Sequence, residues 1–272
     1  MARIIVLSSF VARGHVGLRA LVPALERLGH EVVAIPTVIL SSHAAFPHVA
    51  GSEVATGVLE DVAGALDANG WLAATQAIVT GYLPTAAHVH FAAAFADHVR
   101  QRAPGAQLVC DPVLGDGPKG LYVAPETAAA IRSQLIPRAS LATPNRFELA
   151  WLTGHRIAKV PDAVAAARAL PCETVLATSI PHGAGRLATL LVTPETAGFT
   201  LATAQPKVPS GTGDYLTGLF VAETTAGRPA KDALAMASAF LQRAIAESGP
   251  SDDLCVVGAY EVPPAPLTVT AA

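Results

Sequence analysis

The chain has 272 residues, 51% of them hydrophobic and 14% charged, and a formal net charge of −3. That is too apolar for a disordered chain, and the balance supplies no dense cationic face for nucleic acid or an anionic membrane surface. Three cysteines, Cys110, Cys172 and Cys255, are odd in number and form no CxxC pair, which fits reduced thiols in a cytosolic protein better than a disulfide framework.

The predicted elements begin with a strand over Arg3–Leu7. Arg13 follows soon and no small-residue cleavage site closes the apolar stretch, so a signal peptide is not expected. Helical spacing runs over Val16–Leu28 and stops at Gly29; Glu31–Pro36 is strand-like, and Ser52–Asn69 reads as a helix ended by Gly70. Leu72–Ala96 carries no Asp, Glu, Lys or Arg and is long enough to span a bilayer. Gln76, Gly81, Pro84, His88 and His90 divide it more naturally into a strand (Gln76–Thr80), a turn and a soluble helix (Thr85–Ala103).

Further on, strands are expected at Gln107–Cys110, Leu141–Thr143, Thr174–Ala177 and Ala188–Val192. Helices are expected at Pro125–Leu135, Arg146–Thr153, Pro161–Leu170, Asp214–Thr225 and Lys231–Glu247. This alternation implies an α/β protein with a mostly parallel sheet covered on both faces. One domain is expected over residues 1–262, with a Pro-rich tail over 263–272 that is frayed or lies along an edge.

In such sheets ligands bind beyond the C-terminal strand ends, where the polar residues of this chain collect. Asp111 and Asp116 of CDPVLGDG follow a buried strand; they suit a hydrated Mg²⁺ beside phosphates, or plain turn chemistry. Gly115–Gly120 matches GxGxxG formally, but Pro118 prevents the helix that a dinucleotide fingerprint needs, and a glycine-rich flap is the better reading. In TPNRFE, Asn145 and Glu148 suit either a helix cap or a phosphate–metal cluster. Thr178 and Ser179 end the strand VLATS with hydroxyls for phosphate oxygens, or with a simple turn.

PSGTGD, Pro209–Asp214, raises the sharpest question. Gly211 and Gly213 allow positive φ and close backbone approach, and the following amides belong to a helix N-terminus, an anion pocket. Asp214 beside that pocket is either a helix cap or a base for an alcohol that attacks a phosphorus held there. There is no GxxxxGK[ST], GxSxG or HExxH, and His88 and His90 face different sides of a helix, so a dedicated zinc site is not expected.

SSFVARGHVG, SSH (Ser41–His43), TGY (Thr80–Tyr82), DPVLGD, YVAPE, TPNRFE and GTGD, in this order and spacing, resemble the pyridoxal kinases of the ribokinase-like superfamily, from about Ile4 to about Val257. The resemblance implies a three-layer αβα sandwich, usually a homodimer, that transfers the γ-phosphate of ATP to the 5′-hydroxymethyl group of pyridoxal, pyridoxine or pyridoxamine. It implies Asp214 as general base, with the amides of Gly211, Thr212 and Gly213 as anion hole. Asp116, Tyr122, Thr143, Asn145, Glu148, Thr178 and Ser179 would surround ATP under a flap running from Gly117 to Tyr122. Asp111, Asp116 and Glu148 would lie at Mg²⁺, with a monovalent cation, K⁺ or Na⁺, nearby. Ser9, Val16, His43 and Tyr82 would line the vitamer pocket.

The departures from the family lie on the vitamer side: Phe10 follows Ser9 where His is usual, Leu18 follows Gly17 where Asn is frequent, and Ile39-Leu40 replaces a polar-aromatic pair. Ala44 stands where the family has Thr, and loss of that hydroxyl contact costs about 0.5–1.5 kcal/mol of binding. The nearest rival is therefore a kinase for another heteroaromatic alcohol such as hydroxymethylpyrimidine. A rival of another class is a non-catalytic vitamer-binding protein that retains the fold.

Overall fold

The computed structural model describes residues 1–256 and 263–272. Its first strand sets the architecture. Ile4 and Val6 pack into one layer of helices and Ile5 and Leu7 into the other, all four fully buried. A strand with no solvent face has to lie inside a sandwich.

In chain order the elements start with β1 (Arg3–Val11), α1 (Leu18–Glu26), β2 (Glu31–Leu40), β3 (Gly51–Glu53), α2 (Thr56–Ala68), β4 (Thr75–Thr80) and α3 (Ala86–Arg102). There follow β5 (Gln107–Cys110), the hairpin β6 (Gly115–Asp116) and β7 (Gly120–Leu121), α4 (Pro125–Ala130), β8 (Leu141–Ala142), α5 (Arg146–Thr153) and α6 (Val160–Ala169). The last are β9 (Thr174–Pro181), β10 (Arg186–Val192), β11 (Ala197–Thr203), α7 (Thr212–Thr225), α8 (Ala230–Ser248) and β12 (Thr270–Ala271).

Among the described residues one ten-stranded sheet runs in the order β12-β11-β10-β9-β8-β5-β4-β1-β2-β3. Its centre, from β2 to β9, is parallel, and both flanks are antiparallel. Helices α1, α7 and α8 cover one face; α2 to α6 cover the other. The parallel strands all end at one rim, so the loops after β1, β4, β5 and β8 meet the start of α7 there.

The sheet is larger than the periodicity suggests. β3 and β11 were not expected as strands, and the helix expected from Ser52 begins at Thr56. Gly51–Glu53 is exposed and earns no burial of its own; only pairing with Val38–Leu40 makes it a strand. β2 runs through Pro36, which lies opposite Ser8 beside a register shift. β9 continues past Thr178 and Ser179 to Pro181, so these two do not end the strand. The tail lies along an edge, with Phe199 and Gly198 paired to Thr270 and Ala271. The domain limit expected at residue 262 and the end of the likeness at Val257 fall outside the described residues. No helix among the described residues is long and apolar enough to cross a membrane; Leu72–Ala96 is a turn, β4 and the start of α3.

Candidate active site

α7 begins directly behind Gly211, whose φ is 89°. A Cβ at Gly211 would stand 1.8 Å from the His15 carbonyl oxygen, so only glycine lets the two loops touch. Positive φ is not shared by Gly213, contrary to expectation. Gly213 is already helical, exposed, and has nothing within 4 Å of where its Cβ would point. The first amides of α7, from Thr212 to Asp214, have no intrahelical acceptor and carry the positive end of the helix dipole.

Asp214 does not spend its carboxylate on its own helix. Its Oδ2 accepts the Gly17 amide at 2.9 Å, across 197 residues of chain. Burial pushes its pKa up to about 6, and the Gly17 N–H works against that rise. A carboxylate near 6 is a better proton acceptor than an ordinary aspartate and is still ionised at neutral pH.

Asp111 follows β5 and is 6% exposed. Burial first, then the charges of Asp214 and Glu148, raise its pKa well above the usual carboxylate range. The Thr217 hydroxyl lies 3.2 Å from Asp111 Oδ2 and 2.9 Å from Thr143 Oγ1. Thr217 is three residues beyond Asp214, on the same side of α7. Three carboxylates thus crowd one rim with their charge only partly answered by hydroxyls and amides, which suits a cation.

Glu148 is tied down twice. Its Oε2 accepts the Asn145 amide at 2.8 Å while Asn145 Oδ1 accepts the Glu148 amide at 3.0 Å, a capping box at the start of α5. Its Oε1 accepts the Leu114 amide at 2.8 Å and lies 3.4 Å from the Gly115 amide, on the loop leading into the flap. Burial pushes its pKa up to about 7 against those amides. Asn145 Nδ2 donates to the Gly115 carbonyl at 2.8 Å, so the cap and the flap base are one unit. Asp116 lies exposed on β6, and the exposed Tyr122 donates its amide to Leu114 O at 2.7 Å. Among the described residues no three acidic, histidine or cysteine side chains gather closely enough to hold a metal alone. Thr178 pairs with Asn145, and Ser179 is exposed with φ 61°.

On the other side of Asp214, Ser9 is buried near the end of β1 and Val16 directly precedes the Gly17 donor. Tyr82 is held by its backbone: its amide donates to Ser8 Oγ at 3.2 Å and its carbonyl accepts Thr37 Oγ1 at 2.7 Å. The His43 ring lies 4.6 Å from that of Phe46, and its buried Nε2 has no partner among the described residues. Leu18 is buried in the α1–α7–α8 core and Phe10 packs against it, whereas Ala44 is exposed. Two of the departures from the family are therefore core positions.

The Gly17 amide and Thr217 escaped the sequence reading. Thr217 was accessible in principle, because its spacing from Asp214 places it on one helix face; the Gly17 contact is a tertiary event with no local signal.

The family model for phosphomethylpyrimidine kinase matches residues 52–255. A pyridoxal kinase from Deinococcus radiodurans is 34% identical over 250 residues, covering 88% of this chain and 84% of that relative. A pyridoxine/pyridoxal/pyridoxamine kinase from Bordetella avium is 33% identical over 249 residues, 89% of this chain and 84% of that relative. The pyridoxal kinase of Leishmania donovani in complex with ADP and pyridoxamine superposes with a TM-score of 0.93 at 26% identity, over 100% of both chains. With a ribokinase-like αβα sandwich and a carboxylate at the amide-rich start of α7, this chain belongs to the pyridoxal kinase family.

Proposed function

We propose that this protein transfers the γ-phosphoryl group of ATP to the 5′-hydroxymethyl group of pyridoxal, pyridoxine or pyridoxamine. The observation that carries the reading is Asp214, a partly buried carboxylate with a raised pKa beside the free amides of α7. The substrate hydroxyl sits beside Asp214, which takes its proton as the oxygen attacks in line. The amides of Gly211, Thr212 and Gly213 stabilise charge on the transferring phosphoryl group. Positioning and charge stabilisation supply most of the acceleration, since the loose transition state asks little covalent chemistry of the protein. The relatives' names and the complexes of the Leishmania enzyme with ADP and vitamers support this assignment.

Asp111, Asp116 and Glu148 would serve Mg²⁺, which when bound neutralises phosphate charge. Burial first, then the charges of Asp214 and Glu148 beside Asp111 and of Asp116 beside Glu148, raise these acids, which supports a cation there. Glu148 acts through the flap base, since both its oxygens already accept amides. Thr143, Asn145, Thr178, Ser179 and Tyr122 would line the nucleotide; Ser9, Val16, His43 and Tyr82 would line the vitamer. A monovalent cation, K⁺ or Na⁺, enters on the family resemblance alone. We place the protein in the cytoplasm, supported by three free cysteines, and as a homodimer on the family resemblance alone. The domain is assigned to residues 1–262.

The family model's description favours a second reading, phosphorylation of a hydroxymethylpyrimidine. A complex with a non-hydrolysable ATP analogue tests both readings. The triphosphate is expected against the amides of Gly211, Thr212 and Gly213; a triphosphate lodged elsewhere contradicts the anion hole.

A further inference from the structure

Residues 251–254 lie across the rim beside the GTGD loop, and no feature of the sequence marks them. Leu254 and Val256 are buried in the α1–α7–α8 core, and the Cys255 amide donates to Ser248 Oγ at 2.8 Å, so the segment is fixed at its base. Its outer residues reach in two directions. Towards the phosphate side, the Asp253 main chain pairs with Ser210, next to Gly211, and Asp252 accepts Lys207 Nζ at 2.5 Å. Towards the acceptor side, Asp253 Oδ2 accepts Arg13 Nη2 at 3.3 Å, and its Oδ1 lies against Gly14, 3.1 Å from where a Cβ there would stand.

Arg13 in turn lies over the Phe46 ring at 5.6 Å, and Phe46 packs on His43. His15 meets the Leu254 main chain. Asp253 is therefore the junction of three segments: 13–17, 43–46 and 210–214. The first of these supplies the Gly17 amide that meets Asp214.

We propose that Asp253 is a positioning residue that clasps the acceptor-side loop 13–17 to the phosphate loop, setting where the Gly17 amide meets Asp214 and where the acceptor alcohol stands. The inference rests on the kinase reading for its kinetic arm only. With Asp253→Ala, kcat/KM for the alcohol falls by about ten- to a hundredfold, the cost of a displacement on the ångström scale. KM for ATP stays within twofold, because the α7 amides are untouched. Asp253→Glu recovers most of the loss. Arg13→Gln, at a largely exposed side chain, gives the same pattern in smaller measure and serves if Asp253→Ala does not fold.

Residue-resolved amide hydrogen exchange gives an arm that needs no turnover: the Gly17 amide exchanges faster in Asp253→Ala than in the parent protein. Unchanged Gly17 exchange overturns the clasp, as does a parallel rise of both KM values with a lowered melting temperature, the mark of a merely structural role. If the parent protein phosphorylates no vitamer, the kinase reading fails, and exchange at Gly17 still decides the clasp.

Discussion

At the scale of single residues, Asp214 is the decisive position for the proposed transfer. Replacing it with Asn keeps shape and an oxygen for the Gly17 amide but removes the proposed base. A general base contributes about 10²–10⁴-fold, so kcat for Asp214→Asn should fall by that order while ATP affinity, measured by calorimetry, stays within about twofold. The same carboxylate sets a pH limb. It must be ionised to accept a proton, and burial raises its pKa to about 6. The kcat/KM profile should therefore lose activity as pH falls through about 6, not through the ordinary aspartate value of 3.8. A profile flat down to pH 5 would remove Asp214 from the proton transfer. GTGD was legible because glycine and aspartate at a helix start have few common uses; the partner of the carboxylate was not, since Gly17 stands 197 residues away.

Among elements, the decisive pair is α1 and α7, because one follows Gly17 and the other carries Asp214. They cross closely at Gly218, where a Cβ would come within 2.7 Å of Ala24 Cβ and 3.1 Å of the Leu21 carbonyl oxygen. Buried Glu223 on α7 fastens the same pair by accepting Arg27, at the end of α1, at 2.5 Å, and also accepts Arg228 at 2.7 Å. Gly218→Ala should push the helices apart, cost about 1–3 kcal/mol in urea unfolding, and lower kcat by lengthening the Gly17–Asp214 contact. A stability loss with kcat intact would separate the crossing from the site. The long apolar and Ala-rich elements were readable: Gln107–Cys110 and Arg146–Thr153 were placed with the bounds the structure has. The short ones were not. Gly51–Glu53 and the β6–β7 hairpin have no burial pattern of their own and exist through pairing. Thr178 and Ser179 looked terminal because polar side chains interrupt the apolar run, yet the antiparallel ladder to β10 carries β9 on to Pro181.

For the whole molecule, the rim acids link folding to pH and, on the proposed reading, to cations. Glu148 and Asp214 have folded pKa values of about 7 and about 6, above their ordinary 4.5 and 3.8, and Asp111 is raised as well. Acids with raised folded pKa values bind more protons in the native state, so their stability is greatest at low pH and is lost as pH rises through the folded values. Without divalent cation, the melting temperature should therefore decline between about pH 5 and pH 8, by about 2–4 °C for each kcal/mol. On the proposed reading Mg²⁺ binds the ionised form, so its stabilisation should be larger at pH 8 than at pH 5. Equal stabilisation at both pH values would detach these acids from the cation.

The most direct measurement is transfer of label from γ-labelled ATP to pyridoxal, pyridoxine, pyridoxamine and hydroxymethylpyrimidine, with the parent protein and Asp214→Asn in parallel. The account predicts label on the 5′-oxygen of at least one B6 vitamer with the parent protein, and its near disappearance with Asp214→Asn. Label on the pyrimidine alone, no transfer to any alcohol, or undiminished transfer by Asp214→Asn would contradict it.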